Sequence, residues 1–162
     1  MGIFAKKSKF VRRNGYNFAM IEVSRVCRVD EELMEAMAHL LPQLSSSASV
    51  PATEYVEAML AREDTHLLTA RNEGGEIVGM LTLLFVAIPT GRKAWIEDVV
   101  TDAESRGCGV GRALVERAIE IARTEGARRI YLTSNPSRTA AHALYKSCGF
   151  VEYDTAVFRL NL

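Results

Sequence analysis

The chain has 162 residues, the size of one domain able to bury a core of its own. With 48% apolar and 25% charged residues it has the ordinary composition of a soluble globular protein. Lys and Arg total 20, as do Asp and Glu, so bulk charge gives no reason to expect nucleic acid or an anionic membrane, and the longest apolar run, Met80 to Ile88, is far too short to span a bilayer.

The start is basic (Lys6, Lys7, Lys9, Arg12, Arg13) with no apolar signal-type stretch behind it. It reads as a tail over residues 1–18 ahead of a single domain over 19–162. Ala19 to Val29 carries Ile21, Val23 and Val26 and predicts a first strand. Asp30 is placed to cap a helix with Glu31 and Glu32 in its first turn and Leu33, Met37 and Leu40 or Leu41 on its apolar face. Gln43 to Thr53, with Ser45-Ser46-Ser47 and the flanking Pro42 and Pro51, predicts a loop, and Thr53 to Arg62 a second helix. His66 to Ala70 and Glu76 to Ile88 predict strands joined by a turn at Asn72-Glu73-Gly74-Gly75. Pro89 to Arg92 turns the chain into a further strand from Lys93 to Thr101.

The run Arg106-Gly107-Cys108-Gly109-Val110-Gly111-Arg112 comes next, and behind it an amphipathic helix whose apolar stripe is Val110, Leu114, Ala118 and Ile121. Glycines at every second position leave backbone N–H groups uncovered, and the positive end of the helix dipole points at the same spot; this combination suits a pyrophosphate. The spacing excludes a dinucleotide fingerprint, because the third glycine position holds Arg112, and no G-x-x-x-x-G-K-[ST] string occurs. Gly126 ends the helix. Ile130 to Thr133 predicts a short strand, Asn135-Pro136 a turn, Ser137 a cap for a helix reaching Ser147, and Phe150 to Leu160 a last strand or strand pair.

Three blocks in order carry a family resemblance. Arg106, Gly109 and Gly111 fit R-x-x-G-x-G; Arg138, Ala141, Leu144, Tyr145, Gly149 and Phe150 fit N/R-x-x-A-x-x-L-Y-x-x-x-G-F; and Glu97-Asp98-Val99-Val100-Thr101-Asp102 is an acidic–apolar strand leading into Arg106. With these the chain resembles the GNAT N-acetyltransferases over nearly its whole length. The resemblance implies an α/β (α+β) fold, a mixed, mostly antiparallel central sheet of six to seven strands with helices on both faces.

It also implies acetyl-CoA as co-substrate and direct acetyl transfer to a primary amine. Backbone groups of Val99, Val100 and Thr101 would pair with the pantetheine arm and bond the acetyl oxygen. Gly107, Cys108, Gly109, Val110 and Gly111 would cradle the pyrophosphate between Arg106 and Arg112. Asn135, Arg138 and Ala141 stand where relatives contact the coenzyme, and Arg138 replaces the more usual asparagine, which leaves open whether it or Asn135 does so.

A primary amine is protonated at neutral pH and must lose its proton before it can attack, and Glu97 occupies the position of the carboxylate that takes it, directly or through water. The alternative for Glu97 is a structural carboxylate. If alternation holds, Asp98 points to the opposite face of the strand. Tyr145 is placed to offer its phenol proton to the coenzyme sulfur. With unperturbed pKa values of about 10 for the phenol and about 8.5 for a thiol, a hydrogen bond suffices where full transfer is uphill.

Cys27, Cys108 and Cys148 have no metal-ligand spacing and no even count for disulfides, and His39, His66 and His142 are scattered, so no metal and a reducing, cytoplasmic setting are expected. Cys148 lacks a histidine base and reads as a small buried hydrophobe, not a nucleophile. The acceptor is expected to be a small-molecule amine. A protein or peptide amine, or a coenzyme A-binding regulatory module without turnover, are the alternatives, and a homodimer is left open.

Overall fold

The Asp30 side chain caps the first helix as the sequence predicts: Oδ1 accepts the Leu33 N–H at 2.9 Å, ahead of Glu31 and Glu32. The computed structural model describes residues 8–10 and 20–162. Strands β1 (Ser8–Phe10) and β2 (Ile21–Arg25) come first, then helices α1 (Glu31–Leu44) and α2 (Thr53–Leu60). Strands β3 (Thr65–Arg71), β4 (Ile77–Ile88) and β5 (Gly91–Thr101) follow, then helix α3 (Val110–Thr124), strand β6 (Ile130–Leu132) and helix α4 (Thr139–Ser147). One sheet has the order β1-β2-β3-β4-β5-β6; every neighbouring pair is antiparallel except β5 and β6, which are parallel.

Helices cover both faces. On one, Val110, Leu114, Val115 and Ala118 of α3 pack on Val23, Leu68, Leu81, Leu83 and Ile96. On the other, Leu33, Met37 and Leu40 of α1 and Val56 of α2 pack on Leu67, Met80 and Val100. Full burial of each such side chain contributes about 1.5–3 kcal/mol before entropy is counted. The predicted stripe of α3 holds at Val110, Leu114 and Ala118, all within 1% of complete burial. Among the described residues no helix is long and apolar enough to cross a membrane.

Three expectations change. Ser8–Phe10, inside the segment read as a tail, pairs with Ile21–Val23 as an edge strand; the rest of that basic segment lies outside the described residues. The predicted loop at Gln43 begins two residues later, because α1 runs through Pro42 to Leu44. Pro42 gives up one bond of the helical ladder, to the Ala38 carbonyl, and complete burial of Leu40 holds the helix down. Third, the predicted last strand over Phe150 to Leu160 does not form, and residues 151–162 take no sheet position. Val151, Tyr153, Val157, Phe158 and Leu160 are 69–93% exposed. Strand propensity acts only where a neighbouring strand accepts the ladder, and β6, three residues long, offers little.

Candidate active site

Strands β5 and β6 pair only at Ala94, Trp95 and Ile96, opposite Ile130, Tyr131 and Leu132. Beyond Leu132 the chain leaves the sheet while β5 runs on to Thr101, so from Glu97 onward that edge of β5 has no β6 partner and the two strands end their pairing at a fork. A bulge in β5 sits at the fork: Met80 faces Val100 and Thr82 faces Glu97, leaving Leu81 opposite both Asp98 and Val99. Asp98 takes up the extra residue with φ of 51°, a left-handed conformation costing on the order of 1 kcal/mol. The bulge breaks the alternation on which Asp98 was expected to face away from Glu97; Asp98 instead bends out, exposed, at the fork. It also re-aims the strand, so Ile96 and Val99 pack toward α3 whereas Val100 packs toward α1.

Glu97, Asp98, Val99, Asn135, Arg138 and Tyr145 line one cleft of about 510 Å³ at this fork. Glu97 is half-buried, and that burial pushes its carboxyl above the ordinary range. A hydrogen bond from the Trp95 side chain draws it down and the neighbouring Asp98 charge pushes it up again. A carboxyl raised in this way is a stronger base than a surface glutamate. Burial likewise raises the Tyr145 phenol, against a pull from the Arg138 charge. Its ring meets Phe150 edge-on with centroids 6.0 Å apart, which holds it on the inner face of α4.

The glycine run forms an open corner between β5 and α3. A 3₁₀ turn over Ala103–Ser105 leads into it, and Gly107 and Gly109 have φ of 80° and 88°. A Cβ at either would meet no atom within 4 Å, so the backbone there faces open space. The first bond of α3's ladder runs from the Ala113 N–H to the Gly109 carbonyl. The N–H groups of Val110, Gly111 and Arg112 therefore precede the ladder, at the positive end of the dipole, where the pyrophosphate was expected. Gly111 serves the packing instead, since a Cβ there would lie 3.1 Å from Leu144, and its absence lets α4 approach α3. The glycine corner follows the C-terminal end of β5, the strand whose Glu97, Asp98 and Val99 line the cleft.

The other predicted residues divide. Arg106 and Cys108 are exposed at the corner. Arg112 turns toward α4, reaching Ser147 Oγ and Glu116 at 3.2 Å. Asn135 Oδ1 accepts from the N–H and hydroxyl of Ser137 at 2.9 and 2.8 Å, so it caps its own turn, and Ser137 is not the cap of α4. Arg138 donates to the Leu44 carbonyl at 2.7 Å, tying the start of α4 to the end of α1. Ala141 lies half-buried on α4. Cys148 is half-buried near Arg112. Among the described residues no three His, Cys, Asp or Glu side chains gather as metal ligands.

Sequence reasoning missed Gly79, Trp95, His39 and Gln43. A lone glycine within an apolar strand is a sign of close approach, and a tryptophan two residues before Glu97 shares its side of the strand, so the first two left a signal. The pairing of His39 and Gln43 with Asp102 left none, since about sixty positions separate them.

Residues 31–150 match the family model described as the Acetyltransferase (GNAT) family. A probable glucosamine 6-phosphate N-acetyltransferase 2 of Oryza sativa subsp. japonica is 33% identical over 142 residues, which cover 78% of this chain and 84% of that protein. A glucosamine 6-phosphate N-acetyltransferase of Trypanosoma brucei brucei is 28% identical over 83% of this chain and 92% of its own length. Among solved structures, a putative acetyltransferase from Agrobacterium tumefaciens superposes with a TM-score of 0.72 at 32% identity, covering 83% of this chain and 98% of that one.

Proposed function

The chain belongs to the GNAT acetyltransferase family, and from that premise we propose that it moves the acetyl group of acetyl-CoA directly to a primary amine of a small molecule. The observation that carries the reading is the shared cleft: a half-buried carboxylate, Glu97, and a phenol, Tyr145, line it together at the fork between β5 and β6. Acetyl-CoA supplies an activated acyl group and a thiol leaving group. Glu97 takes the proton from the acceptor ammonium, directly or through water, and its raised pKa favours that step. Tyr145 donates a hydrogen bond toward the departing sulfur; its own raised pKa makes hydrogen bonding the role in place of full proton transfer. The backbone of Val99 to Thr101 aligns the pantetheine arm, and the corner at Gly107 to Gly111 holds the pyrophosphate.

For the acceptor, an amino sugar phosphate stands first on the strength of the names of the rice and trypanosome relatives. The odd count of three cysteines, without metal-ligand spacing, fits a cytoplasmic setting. The exposed apolar arm over residues 151–162 supports a homodimer, because a second copy would remove Val157, Phe158 and Leu160 from water.

The test is thiol release from acetyl-CoA across glucosamine 6-phosphate, polyamines, aminoglycosides, amino acids and peptides. Turnover with one or more of the small amines is expected. Turnover with peptides alone would move the reading to a protein acetyltransferase, and tight acetyl-CoA binding without release to a regulatory module.

A further inference from the structure

The last turn of α1 touches both walls of the proposed coenzyme site. His39 and Gln43, one helical turn apart, lie on the same face of the helix. Gln43 makes two bonds across the fold: its Nε2 donates to Asp102 Oδ1 at 2.9 Å, and its Oε1 accepts the Ala103 N–H at 2.8 Å. His39 Nε2 meets the same Asp102 oxygen at 2.8 Å. Asp102 is also held through its backbone, whose N–H donates to the Val78 carbonyl at 2.9 Å, and its side chain is only 14% exposed. The Asp102 carboxyl sits below the ordinary range because Gln43, then His39, donate to it. One residue further along α1, the Leu44 carbonyl accepts from Arg138 on the helix that carries Tyr145.

Asp102 and Ala103 are the hinge at which β5 ends and the 3₁₀ turn into the glycine corner begins. The turn itself is short, closed by a bond from the Ser105 N–H to the Asp102 carbonyl at 3.0 Å. An error in direction at the hinge would be carried through that turn into Gly107 and Gly109, which have positive φ and, as glycines, no side chains to hold the corner.

Resting on the coenzyme reading above, we propose that Gln43, assisted by His39, is a positioning residue for acetyl-CoA: it clamps the Asp102–Ala103 hinge so that the corner's N–H groups meet the pyrophosphate. Gln43 touches neither the corner nor the cleft residues Glu97 and Tyr145, so its effect belongs on coenzyme binding and not on the chemical step.

The experiment combines calorimetric titration with coenzyme A and steady-state kinetics on the full chain, with thermal unfolding as a check on folding. Gln43→Met keeps the side-chain volume and loses both bonds; it should raise the Kd for coenzyme A and the KM for acetyl-CoA by roughly fivefold to tenfold, the weight of one hydrogen bond, with kcat within about twofold. Gln43→Glu sets a second carboxylate against Asp102 and should weaken binding at least as much. Adding Asp102→Asn to Gln43→Glu restores the pair with its donor and acceptor exchanged, Asn to Glu and Ala103 N–H to Glu, and should return the affinity to within about twofold of the unsubstituted chain. This double variant carries the test if Gln43→Met fails to fold. Unchanged affinity in folded Gln43→Met, a fall in kcat at constant KM, or a double variant no better than Gln43→Glu would overturn the clamp. Failure of the unsubstituted chain to bind coenzyme A would instead remove the coenzyme reading, and the clamp with it.

Discussion

Gly79 carries the first turn of α3: a Cβ on Gly79 would lie 2.7 Å from Val110 Cγ1, 3.2 Å from Leu114 Cδ1 and 3.0 Å from the Val100 carbonyl. The start of the helix that follows the glycine corner thus rests directly on the backbone of β4. Gly79→Ala should therefore destabilise the protein by about 1–3 kcal/mol, the usual cost of overpacking, and weaken coenzyme A binding as the helix start lifts. Denaturant unfolding and calorimetry read the two effects. An unchanged midpoint would mean that α3 can shift on the sheet without loss.

At Gly109 the strain is in the backbone and not in the packing. Its φ is 88° with open space around it, so Gly109→Val keeps the room and loses the conformation, at a cost of about 1–2 kcal/mol or a rearranged corner. Coenzyme A affinity should fall while kcat at saturating acetyl-CoA holds. Normal affinity would sink the phosphate assignment.

Tyr145→Phe keeps the ring against Phe150 and removes the phenol. We expect kcat to drop about a hundredfold with the KM for acetyl-CoA within about twofold. Full activity in this variant would remove Tyr145 from the sulfur.

Glu97 acts as base only when ionised, and burial raises its pKa. The kcat/KM profile of the unsubstituted protein should fall on the acidic side as pH drops through that raised value, and Glu97→Gln should lose the limb together with most of the rate. Stability has the opposite sign. A carboxyl whose folded pKa is raised favours folding while protonated, and that contribution is lost as pH rises through the folded value. Glu97→Gln should therefore be more stable than the parent at pH 7 and lose that advantage at pH 4, as thermal unfolding at the two pH values would register. An unchanged acidic limb would assign the proton to another group.

For the arm, sedimentation at micromolar concentration should give a dimer, and Phe158→Glu with Leu160→Glu should give a monomer of unchanged coenzyme affinity. A monomeric parent would end the homodimer reading.

Local chemistry made much of this protein legible in one dimension. Asp30 announced its helix, the stripe Val110, Leu114 and Ala118 announced α3, and Asn72 to Gly75 announced a hairpin, since each depends on neighbours a few residues away. The motif residues Glu97, Tyr145 and the glycine run were legible for a related reason: their spacing along strand, turn and helix is itself local. What stayed hidden depends on partners supplied from a distance. Whether Phe150 to Leu160 becomes a strand is a question about β6, and β6 is too short to answer it. The bulge that turns Asp98 outward exists only in the register of β4 against β5, where a one-residue offset re-aims every following side chain.

The sequence by itself determined the order of elements from β2 to α4, the acidic strand, the glycine corner and the aromatic helix that follows, because short-range hydrogen bonding and apolar periodicity select them. Only the tertiary structure decided that Glu97 and Tyr145 share a cleft, that Gly79 seats α3, and that Gln43 reaches across about sixty positions to grip Asp102. Those relationships arise when helices settle on a twisted sheet, and packing geometry of that kind has no counterpart in the spacing of residues along the chain.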